Sequence, residues 1–545
     1  MTKTFRLLSP RRTTHLSLCM LVACHAAGGD GDGGSTTQGD MGSSSTGNNP
    51  PASTTIDSVT DDSSGAPSST TDDASSGDSS TTGPSEPPAP WCGFVGTGPR
   101  VLEDAGYDPL PVRNHLGGPT RLALWYYSSG RDRGLRVAVY DELTSAWSDT
   151  VELEVAGEVG YLAEPNAAVD ADGDALVVTG DLDSPAEIRV HRYDASATNW
   201  SVSTLPGTLV SARSTEISVD DAGNAVVVAE NEYELGLSST MIWFYDVASD
   251  TWSEPQEIGP IETYGLGVSW AQDRASGDAA FFMDVAQNDL ELRHHARTTG
   301  EWTTQPVDDM ALPFAYPASV VSLGDNRFVA VMASGDFGVD NGQLMAFAYD
   351  GANWQPGTSL DSGIDLDRTH VATDRLGRAV ITWNAHPTSI RSASYDVASG
   401  WAPKQIVNVG QTGADYVASF THALDDDGFT VAWTQYHNDA ERTYVRHADG
   451  DMFGATTEMD PTQPVFSSIS SLQAFAAARA RVVWARDEGN ANYSGWYYAC
   501  GDAGEWSAPV AIDLRYPRIE SGRDGEFLMI GRQDDTIVAE YFVAQ

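Results

Sequence analysis

Residues 187–200 read EIRVHRYDASATNW, a phrase that returns in modified form along most of the chain. Apolar and polar residues alternate up to Tyr193-Asp194, a polar turn follows, and Trp200 begins another extended run. This alternation predicts a half-buried β-strand, a turn and a second strand. Aromatic anchors recur at intervals of 47–53 residues, at Trp147, Trp200, Trp252, Trp302, Trp354, Trp401, Phe453 and Trp506. A fixed period near fifty predicts a repeat architecture.

Each repeat unit is expected to contain four short strands. In residues 164–206 we predict strands at 166–170, 175–179 and 187–193, with the fourth beginning at Trp200. Gly, Asp and Asn turns separate these strands, and no stretch keeps a helical period for three turns. Four-stranded units at this spacing are typical of an all-β chain that folds as a single β-propeller.

Counting the sets of first to third strands favours nine blades over eight. The sets begin near Leu110, Glu164, Thr215, Leu266, Pro317, Thr369, Val417, Ser467 and Pro517. The last set ends at Gln545 without a Trp strand, whereas residues 96–104 look like a fourth strand without a set. We therefore expect the two ends of the chain to share one blade, which leaves no sheet edge open. Eight blades stays an alternative, because the unit at 467–506 is degenerate and propellers of nine blades are uncommon.

The turn between the first two strands of a unit carries a recurring Asp-x-x-Gly. It occurs at 170–173, 220–223, 374–377 and 425–428. Aspartate offers an acceptor for the turn amides, and glycine takes the positive-φ position. The turn resembles the Asp-box hairpin of sialidase-type and BNR-repeat propellers, although the Ser or Thr expected two residues before the Asp is mostly missing. The resemblance covers roughly residues 95–545 and implies a propeller architecture.

The N-terminal region is predicted to export and anchor the chain. A positively charged start precedes an apolar run at 16–23 that is too short to span a bilayer. The run ends in LVAC at 21–24, which resembles the bacterial lipobox, and this resemblance implies cleavage before Cys24 and lipidation of that cysteine. Ordinary secretion with cleavage near Ala26 or Ala27 is the alternative. We expect a signal peptide at 1–24, a disordered Ser/Thr/Gly/Asp-rich linker at 25–90 and the propeller at 91–545.

Composition limits the partners and the compartment. The formal net charge is -46 and the only lysines are Lys3 and Lys404, which argues against nucleic acid and anionic lipid as partners. We expect a monomer that touches a membrane only through the lipid on Cys24, in the cell envelope, at the outer membrane or cell surface of a Gram-negative bacterium. Cys92 and Cys500 would remain after processing, and we predict a disulfide between them.

Two groups of residues mark a candidate binding face, on which the loops after the second strands and between units open. Aromatic residues lie 10–15 positions after the anchors, at Tyr161, Tyr264, Tyr316, Tyr416, Phe466 and Tyr516. Three arginines stand at the starts of innermost strands, at Arg213, Arg368 and Arg518. Polar residues also fill the predicted loops after the second strands: Glu230, Asn231 and Glu232; Asn384 with His386; Gln435 with His437 and Asn438; and Arg486, Asp487 and Glu488. Tyrosine rings would suit sugar or peptide binding, or would pack between blades as core.

Signals for metal binding and catalysis are weak. Asp170, Asp172 and Asp174 form an oxygen-rich run that makes a weak calcium candidate, without the glutamate that closes an EF-hand loop. His294 and His295 are adjacent in a predicted strand, so their side chains should point to opposite faces and cannot share a metal. We assign no catalytic residue and no other cofactor. The predicted function is non-catalytic binding of a glycan, peptide or protein; the alternative is a sialidase-like or other polysaccharide-active hydrolase or lyase.

Overall fold

The computed structural model describes residues of the compact unit Gly83–Gln545. The described ranges are 94–104, 110–127, 133–156, 162, 164–181, 186–207, 209–234, 237–261, 268–286, 289–307, 315–334, 342–364, 366–373, 377–385, 389–408, 414–424, 428–437, 440–449, 452–459, 467–475, 479–487, 494–502, 505–521, 526–534 and 536–544. These residues form forty-two strands and no helix, which confirms the all-β prediction. The leader, the linker, Cys24 and Cys92 lie outside them.

The first half of the chain forms sheets 1 to 4, preceded by two strands that belong to the last sheet. Those two are β1 (Phe94–Gly96) and β2 (Arg100–Asp104). Sheet 1 contains β3 (Leu110–Gly117), β4 (Thr120–Tyr126), β5 (Leu135–Asp141), β6 (Ala146–Trp147) and β7 (Val151–Glu154). Sheet 2 contains β8 (Asn166–Val169), β9 (Ala175–Gly180), β10 (Ile188–Asp194) and β11 (Asn199–Thr204). Sheet 3 contains β12 (Ala212–Val219), β13 (Ala225–Glu234), β14 (Leu237–Asp246), β15 (Thr251–Trp252) and β16 (Gln256–Ile261). Sheet 4 contains β17 (Val268–Gln272), β18 (Ala279–Ala286), β19 (Asp289–Ala296) and β20 (Glu301–Pro306).

The second half forms sheets 5 to 9 in the same way. Sheet 5 contains β21 (Ala315–Gly324), β22 (Arg327–Ser334), β23 (Gly342–Tyr349) and β24 (Thr358–Ile364). Sheet 6 contains β25 (Leu366–Thr373), β26 (Ala379–Ala385), β27 (Ser389–Asp396), β28 (Gly400–Trp401) and β29 (Gln405–Ile406). Sheet 7 contains β30 (Ala414–Leu424), β31 (Gly428–His437), β32 (Ala440–Asp449), β33 (Met452–Phe453) and β34 (Thr457–Glu458). Sheet 8 contains β35 (Ser467–Phe475), β36 (Arg479–Asp487), β37 (Ser494–Asp502), β38 (Glu505–Trp506) and β39 (Val510–Ile512). Sheet 9 contains β40 (Arg515–Ser521), β41 (Phe527–Gln533) and β42 (Thr536–Ala544), with β1 and β2.

The first strands of successive sheets contact one another. β3 contacts β8, and the same contact repeats between first strands up to β35 and β40. β40 in turn contacts β3, so the series of nine sheets closes on itself. We call the contact between two neighbouring sheets a seam. Among the described residues an apolar core fills eight of the nine seams, all but that between sheets 7 and 8; the seam of sheets 9 and 1 packs Trp125 and Tyr140 against Ile530 and Tyr541.

The two ends of the described chain meet in sheet 9. β1 and β2 both pair antiparallel with β42, which confirms the prediction that residues 96–104 complete the last set of strands. Arg121 of sheet 1 spans the seam to sheet 9. Its Nη2 atom donates to the Tyr541 hydroxyl and to Glu142, at 2.9 Å in each case. Side-chain bonds therefore reinforce the backbone pairing that joins the two ends.

The aromatic anchors are structural. Trp200 pairs with Tyr193 across β10 and β11, and their ring centroids are 5.2 Å apart. The same Tyr–Trp contact recurs at Tyr140 with Trp147, Tyr245 with Trp252, Tyr349 with Trp354 and Tyr395 with Trp401. Trp200 also packs against the core of the seam between sheets 1 and 2. In these five sheets the recurring phrase therefore closes the outer hairpin onto the neighbouring sheet.

The Asp-x-x-Gly turns at 170–173 and 220–223 stack on the corresponding turns of neighbouring sheets, whereas those predicted at 374–377 and 425–428 lie partly outside the described residues. Asp170 Oδ1 accepts hydrogen bonds from the amides of Asp172 and Asp174, at 3.0 and 2.9 Å. Gly173 has φ +92°, and a Cβ there would lie 2.5 Å from Thr120 Oγ1 in the corresponding turn of sheet 1. Close approach to a neighbouring turn and positive φ together require glycine. Since neighbouring turns touch, the ends of the sheets that carry them share one face, which we call the back face.

Candidate functional site

The opposite end of the sheets is the front face, where the first strands begin and the second strands end. Seven of the nine first strands carry a register irregularity in their pairing with the second strand near this end. The irregularities lie in β3, β12, β21, β25, β30, β35 and β40. β-Bulges re-aim side chains and are over-represented next to binding and active sites. The front face is therefore the end of the sheets where the pairing of most first strands is irregular.

The structure brings six of the nine predicted site residues to these strands. Tyr316, Tyr416 and Tyr516 lie near the beginnings of β21, β30 and β40. Arg213, Arg368 and Arg518 lie in β12, β25 and β40, at or next to an irregularity. Arg518 is exposed, whereas the side chains of the other five are outside the described part of the chain. Tyr161, Tyr264 and Phe466 lie wholly outside it, so the predicted aromatic circle stays a prediction.

The polar residues that the sequence placed in loops after the second strands lie instead within those strands. Glu230 and Asn231 belong to β13, Asn384 to β26 and Gln435 to β31. The prediction was wrong because these strands keep pairing with the third strands beyond their apolar stretch. All four side chains are buried, with Asn384 and Gln435 only 1% exposed. The front face therefore carries polar groups inside the seams.

These buried polar residues lie opposite the irregularities of the first strands. Asn384 falls between the pairs Leu366 with Ala385 and Thr369 with Trp383, opposite the extra residues of β25. Gln435 pairs with Val417, which borders an irregularity in β30. Glu230 and Asn231 lie opposite the irregularity of β12 in the same way. Sequence periodicity could not show this arrangement, because an inserted residue can be recognised only when the residue pairing with the neighbouring strand is known.

A buried carboxylate links sheets 1 and 2 near this end. Glu154 Oε1 accepts from Thr179 Oγ1 at 2.6 Å and from Arg189 Nε at 2.8 Å, and it lies 2.9 Å from His191 Nε2. Burial alone would raise the pKa of Glu154, but the hydrogen bonds from His191, Thr179 and Arg189 outweigh it and lower the pKa. Glu154 therefore stays ionised and links the two sheets. We call a buried carboxylate that accepts hydrogen bonds from the next sheet in this way a bracket.

An equivalent bracket joins sheets 5 and 6. Asp361 Oδ2 accepts from Trp383 Nε1 at 2.9 Å and from Arg391 Nη1 at 2.5 Å, while Oδ1 contacts Lys404 Nζ. Burial acts to raise the pKa of Asp361, but the hydrogen bonds from Lys404, Arg391 and Trp383 lower it overall. Trp383 pairs with Arg391 as Thr179 pairs with Arg189, so the two brackets use corresponding positions. Ionised, fully bonded carboxylates of this kind are poor general acids.

A tyrosine–carboxylate pair lies at the end of the second strand of sheet 1. The Tyr127 hydroxyl contacts Glu152 Oε1 and accepts from the Ala156 amide at 2.8 Å. The Arg136 guanidinium lies 3.9 Å from the centroid of the Tyr127 ring. Burial, followed by the hydrogen bond to Glu152, raises the pKa of the Tyr127 phenol. The phenol therefore rests protonated, with a carboxylate in position to accept its proton.

The first strands of sheets 3 and 4 are joined by a further aromatic–carboxylate contact. Trp270 Nε1 in β17 donates to Glu216 Oε2 in β12 at 2.7 Å. Trp270 also stacks on Phe281, with centroids 6.0 Å apart and planes 12° apart. Both polar groups are thus satisfied by each other, so this contact serves mainly to join two first strands.

The weak metal candidates are used for other contacts. Asp170 caps its turn, whereas Asp174 accepts from the Ala195 amide at 2.9 Å and pairs with Arg192. Within the described ranges no three His, Cys, Asp or Glu residues are grouped to hold a metal ion. Burial, followed by the charge of Asp174, raises the pKa of Asp170 to about 6. The predicted calcium site gains no support from this geometry.

The adjacent histidines point to opposite seams, as predicted. His294 stacks on Tyr349 of sheet 5 at 4.4 Å, and His295 stacks on Phe244 of sheet 3 at 4.0 Å. Burial, followed by the charges of His294 and Arg297, lowers the pKa of His295 to about 4. Both rings therefore act as packing residues and not as joint ligands of one metal.

Two further features bear on the predictions for the ends of the chain. Cys500 in β37 is disulfide-bonded. Its partner lies outside the described residues, so the pairing with Cys92 stays a prediction. Among the residues with described positions, no helix has the length and hydropathy needed to cross a bilayer.

No family model and no curated protein sequence matches this chain. Among solved structures it is similar to the β-propeller domain of the Trilobed protease from Pyrococcus furiosus, at 12% identity and TM-score 0.34, covering 67% of this chain and 99% of that one. It is also similar to the BP39L lectin from Burkholderia pseudomallei, at 13% identity and TM-score 0.38, covering 76% and 100%. The Hadza microbial sialidase Hz136 matches at 13% identity and TM-score 0.30, covering 53% and 66%. Likenesses at these scores carry no argument about what this chain binds.

Proposed function

We propose that the front face binds an extracellular ligand without catalysing a reaction. The observation that carries this proposal is the coincidence of two features at one end of the sheets. Seven first strands are irregular there, and buried polar side chains of second strands lie opposite those irregularities. Burying a polar group without full satisfaction costs free energy, and such positions are retained mainly where they serve a function. The back face, with its capped and stacked turns, has one irregular first strand in the described ranges, between Ser322 and Gly324 of β21.

The chemistry at the front face favours binding over catalysis. The buried carboxylates Glu154 and Asp361 are held ionised by several donors, so neither is poised to deliver a proton. A ligand that enters the irregular ends of the first strands would meet the amides of Asn231, Asn384 and Gln435, with Glu230 and the arginines of β12, β25 and β40 on the strands there. Groups of this kind make directional hydrogen bonds and apolar contacts, which suits a glycan, a peptide or a protein segment.

The test is direct binding by the full chain, with Cys24→Ser to keep it unlipidated. The protein is applied to an array of glycans and peptides, with and without calcium. We expect a defined subset of ligands to bind, and Tyr316→Ala or Tyr416→Ala to weaken that binding while the melting temperature is kept. Trp252→Phe at an outer hairpin is the control, since it should change stability and not affinity. Tyrosine variants that bind normally but melt earlier would assign those rings to the core.

A polysaccharide-active hydrolase is the second candidate, and one observation favours it. The Tyr127–Glu152 contact beside Arg136 has the parts of a phenol nucleophile activated by a carboxylate base. Against it, Tyr127 already uses its oxygen to accept the Ala156 amide, and its raised pKa works against a phenolate. Release of reducing sugar from sialylated or plain polysaccharide, lost in Tyr127→Phe, would establish this function. If reducing sugar is released equally fast in buffer and in the presence of the protein, hydrolase activity on those substrates is excluded.

We also propose that the nine sheets are the blades of a single propeller carried on a lipid-anchored linker. Ring closure between β40 and β3 supports the first part. The LVAC sequence at 21–24 supports lipidation of Cys24, and the bonded state of Cys500 supports a disulfide to Cys92. Mass spectrometry of the envelope protein tests both: a diacylated N-terminal cysteine and a Cys92–Cys500 cross-linked peptide are expected. Surface protease accessibility in intact cells tests location at the outer membrane.

A further inference from the structure

The seam between sheets 6 and 7 contains a polar cluster at the front face. Asn384 lies on the same face of β26 as Val380, and it pairs across the sheet with Ile390. Val380 and Ile390 pack with Trp433 of sheet 7 in one core. Gln435 follows Trp433 by two residues in β31, so it faces the same seam. Asn384 and Gln435 therefore approach one seam from its two sides.

The orientation of the Gln435 amide is set by its neighbour. Trp433 Nε1 donates to Gln435 Oε1 at 3.2 Å, so the amide nitrogen Nε2 remains available as a donor. Nε2 is buried and has no hydrogen-bond partner within the described part of the protein. Asn384 Oδ1, an acceptor on the opposite side, is buried and equally without a partner there. Buried polar atoms nearly always have hydrogen-bond partners. An unpartnered donor and an unpartnered acceptor in one seam therefore point to a ligand that bonds to both.

Arg442 adds a second donor to the cluster. It pairs directly with Gln435 across β31 and β32, so the two side chains share one face of the sheet. Its Nη1 atom contacts Glu458, while its buried Nε atom has no partner among the described residues. The Arg442 side chain is 26% exposed, so this edge of the cluster reaches solvent. The seam thus offers two donors from sheet 7 and one acceptor from sheet 6.

We propose that this cluster is a subsite for the hydroxyl groups of a neutral saccharide. Adjacent hydroxyls both donate and accept, so one can accept from Gln435 Nε2 and Arg442 Nε while its neighbour donates to Asn384 Oδ1. A carboxylate or phosphate fits less well, because it cannot donate to Asn384 and because Glu458 already neutralises Arg442. The net charge of -46 also opposes anionic ligands. This proposal rests on ligand binding at the front face and narrows its ligand to one chemical class.

The experiment compares neutral and acidic saccharides on the full chain. An array of neutral oligosaccharides is probed beside sialylated and uronic-acid-containing counterparts, and the strongest neutral binder is then titrated by calorimetry. Gln435→Glu keeps the acceptor for Trp433 but replaces the free donor with a second acceptor. We expect it to weaken neutral saccharide binding by about tenfold or more. Asn384→Leu removes the acceptor and should weaken binding similarly.

Ser334→Ala is the matched control. Ser334 ends β22 in sheet 5 and is equally buried, but its hydroxyl has a partner, donating to the Gln343 carbonyl at 3.3 Å. This variant should lower stability slightly and leave saccharide affinity unchanged. Unchanged affinity in Gln435→Glu and Asn384→Leu would overturn the subsite, as would a loss of stability in Asn384→Leu without a loss of affinity. Binding only of acidic saccharides or peptides would overturn the ligand class and leave the proposed function standing, whereas no binding to any array would count against both.

Discussion

Replacing Glu154 with leucine should destabilise the protein strongly, because this carboxylate holds sheets 1 and 2 together at the front face. The change removes the acceptor for Thr179, Arg189 and His191, all three of which are largely buried. Removing one partner of a buried ion pair typically costs about 3–5 kcal/mol, since the remaining charge is left without compensation. The Arg189 side chain is 17% exposed, so partial solvation places our expectation near the lower end, at about 3 kcal/mol.

The assay is guanidinium unfolding followed by tryptophan fluorescence at pH 7. Glu152→Leu on the same strand is the matched control, because the Glu152 side chain is 36% exposed and an exposed pair contributes about 0.2–1 kcal/mol. Glu154→Gln, which keeps an acceptor but loses the charge, should fall between the two. If Glu154→Leu unfolds within about 1 kcal/mol of Glu152→Leu, the bracket does not hold the seam and the reasoning fails.

The pH dependence of unfolding, compared between wild type and Glu154→Leu, tests whether Glu154 is ionised in the folded protein. The pKa of Glu154 is lowered in the folded state, so its contribution is fully present above the ordinary value of 4.5. That contribution is lost as pH falls through the lower folded pKa, because protonation removes the charge that Arg189 pairs with. The stability difference between wild type and Glu154→Leu should therefore shrink in acid. A difference that stays constant or grows below pH 4 would contradict the assignment of an ionised bracket.

Three further predictions concern other parts of the ring. The pKa of His295 falls from 6.5 to about 4 on folding, so wild type should lose about 3 kcal/mol of stability as pH drops through that window. His295→Phe should flatten this loss, and equal slopes in the two proteins would refute the prediction. Tyr541→Phe removes one buried hydrogen-bond partner of Arg121 at the junction of the two chain ends. It should lower the free energy of unfolding in urea by about 1–2 kcal/mol. An unchanged free energy of unfolding would show that this bond is dispensable. Gly173→Ala places a Cβ against the neighbouring turn at positive φ and should cost about 1–3 kcal/mol by thermal unfolding, whereas Gly300→Ala, also at positive φ but with no neighbour, should cost less.

Much of the fold could be predicted from the sequence because the repeat marks local structure. Strand alternation and Asp-Gly turns depend on near neighbours in the chain, so the starts of the sets were predicted within a few residues of the observed first strands. The pairing of residues 96–104 with the last set followed from counting strands, and β2 with β42 confirms it. The opposite orientation of His294 and His295 followed from the two-residue period of a strand.

The candidate site was predicted less well, because its features arise between sheets. Glu154 reaches Arg189 and His191 across a seam, and no spacing rule links an outer strand to the third strand of the next sheet. Asn384 and Gln435 looked like loop residues, since polarity at a strand end reads as a turn when burial by the neighbouring sheet is unknown. The irregularities of the first strands are also invisible in one strand alone. Tyr416 and Arg368, which were predicted from the sequence, do lie in the irregular first strands β30 and β25, at the end of the sheets that we propose as the binding face.

Amide hydrogen exchange of the full chain, with and without the ligand selected on the array, tests the central claim most directly. If ligand binds at the front face, protection should appear in the irregular first strands β25 and β30 and in the ends of β26 and β31. The outer Tyr–Trp hairpins and the back-face turns around Gly173 should exchange at unchanged rates. Protection confined to those hairpins or turns, with none at the front face, would contradict the account.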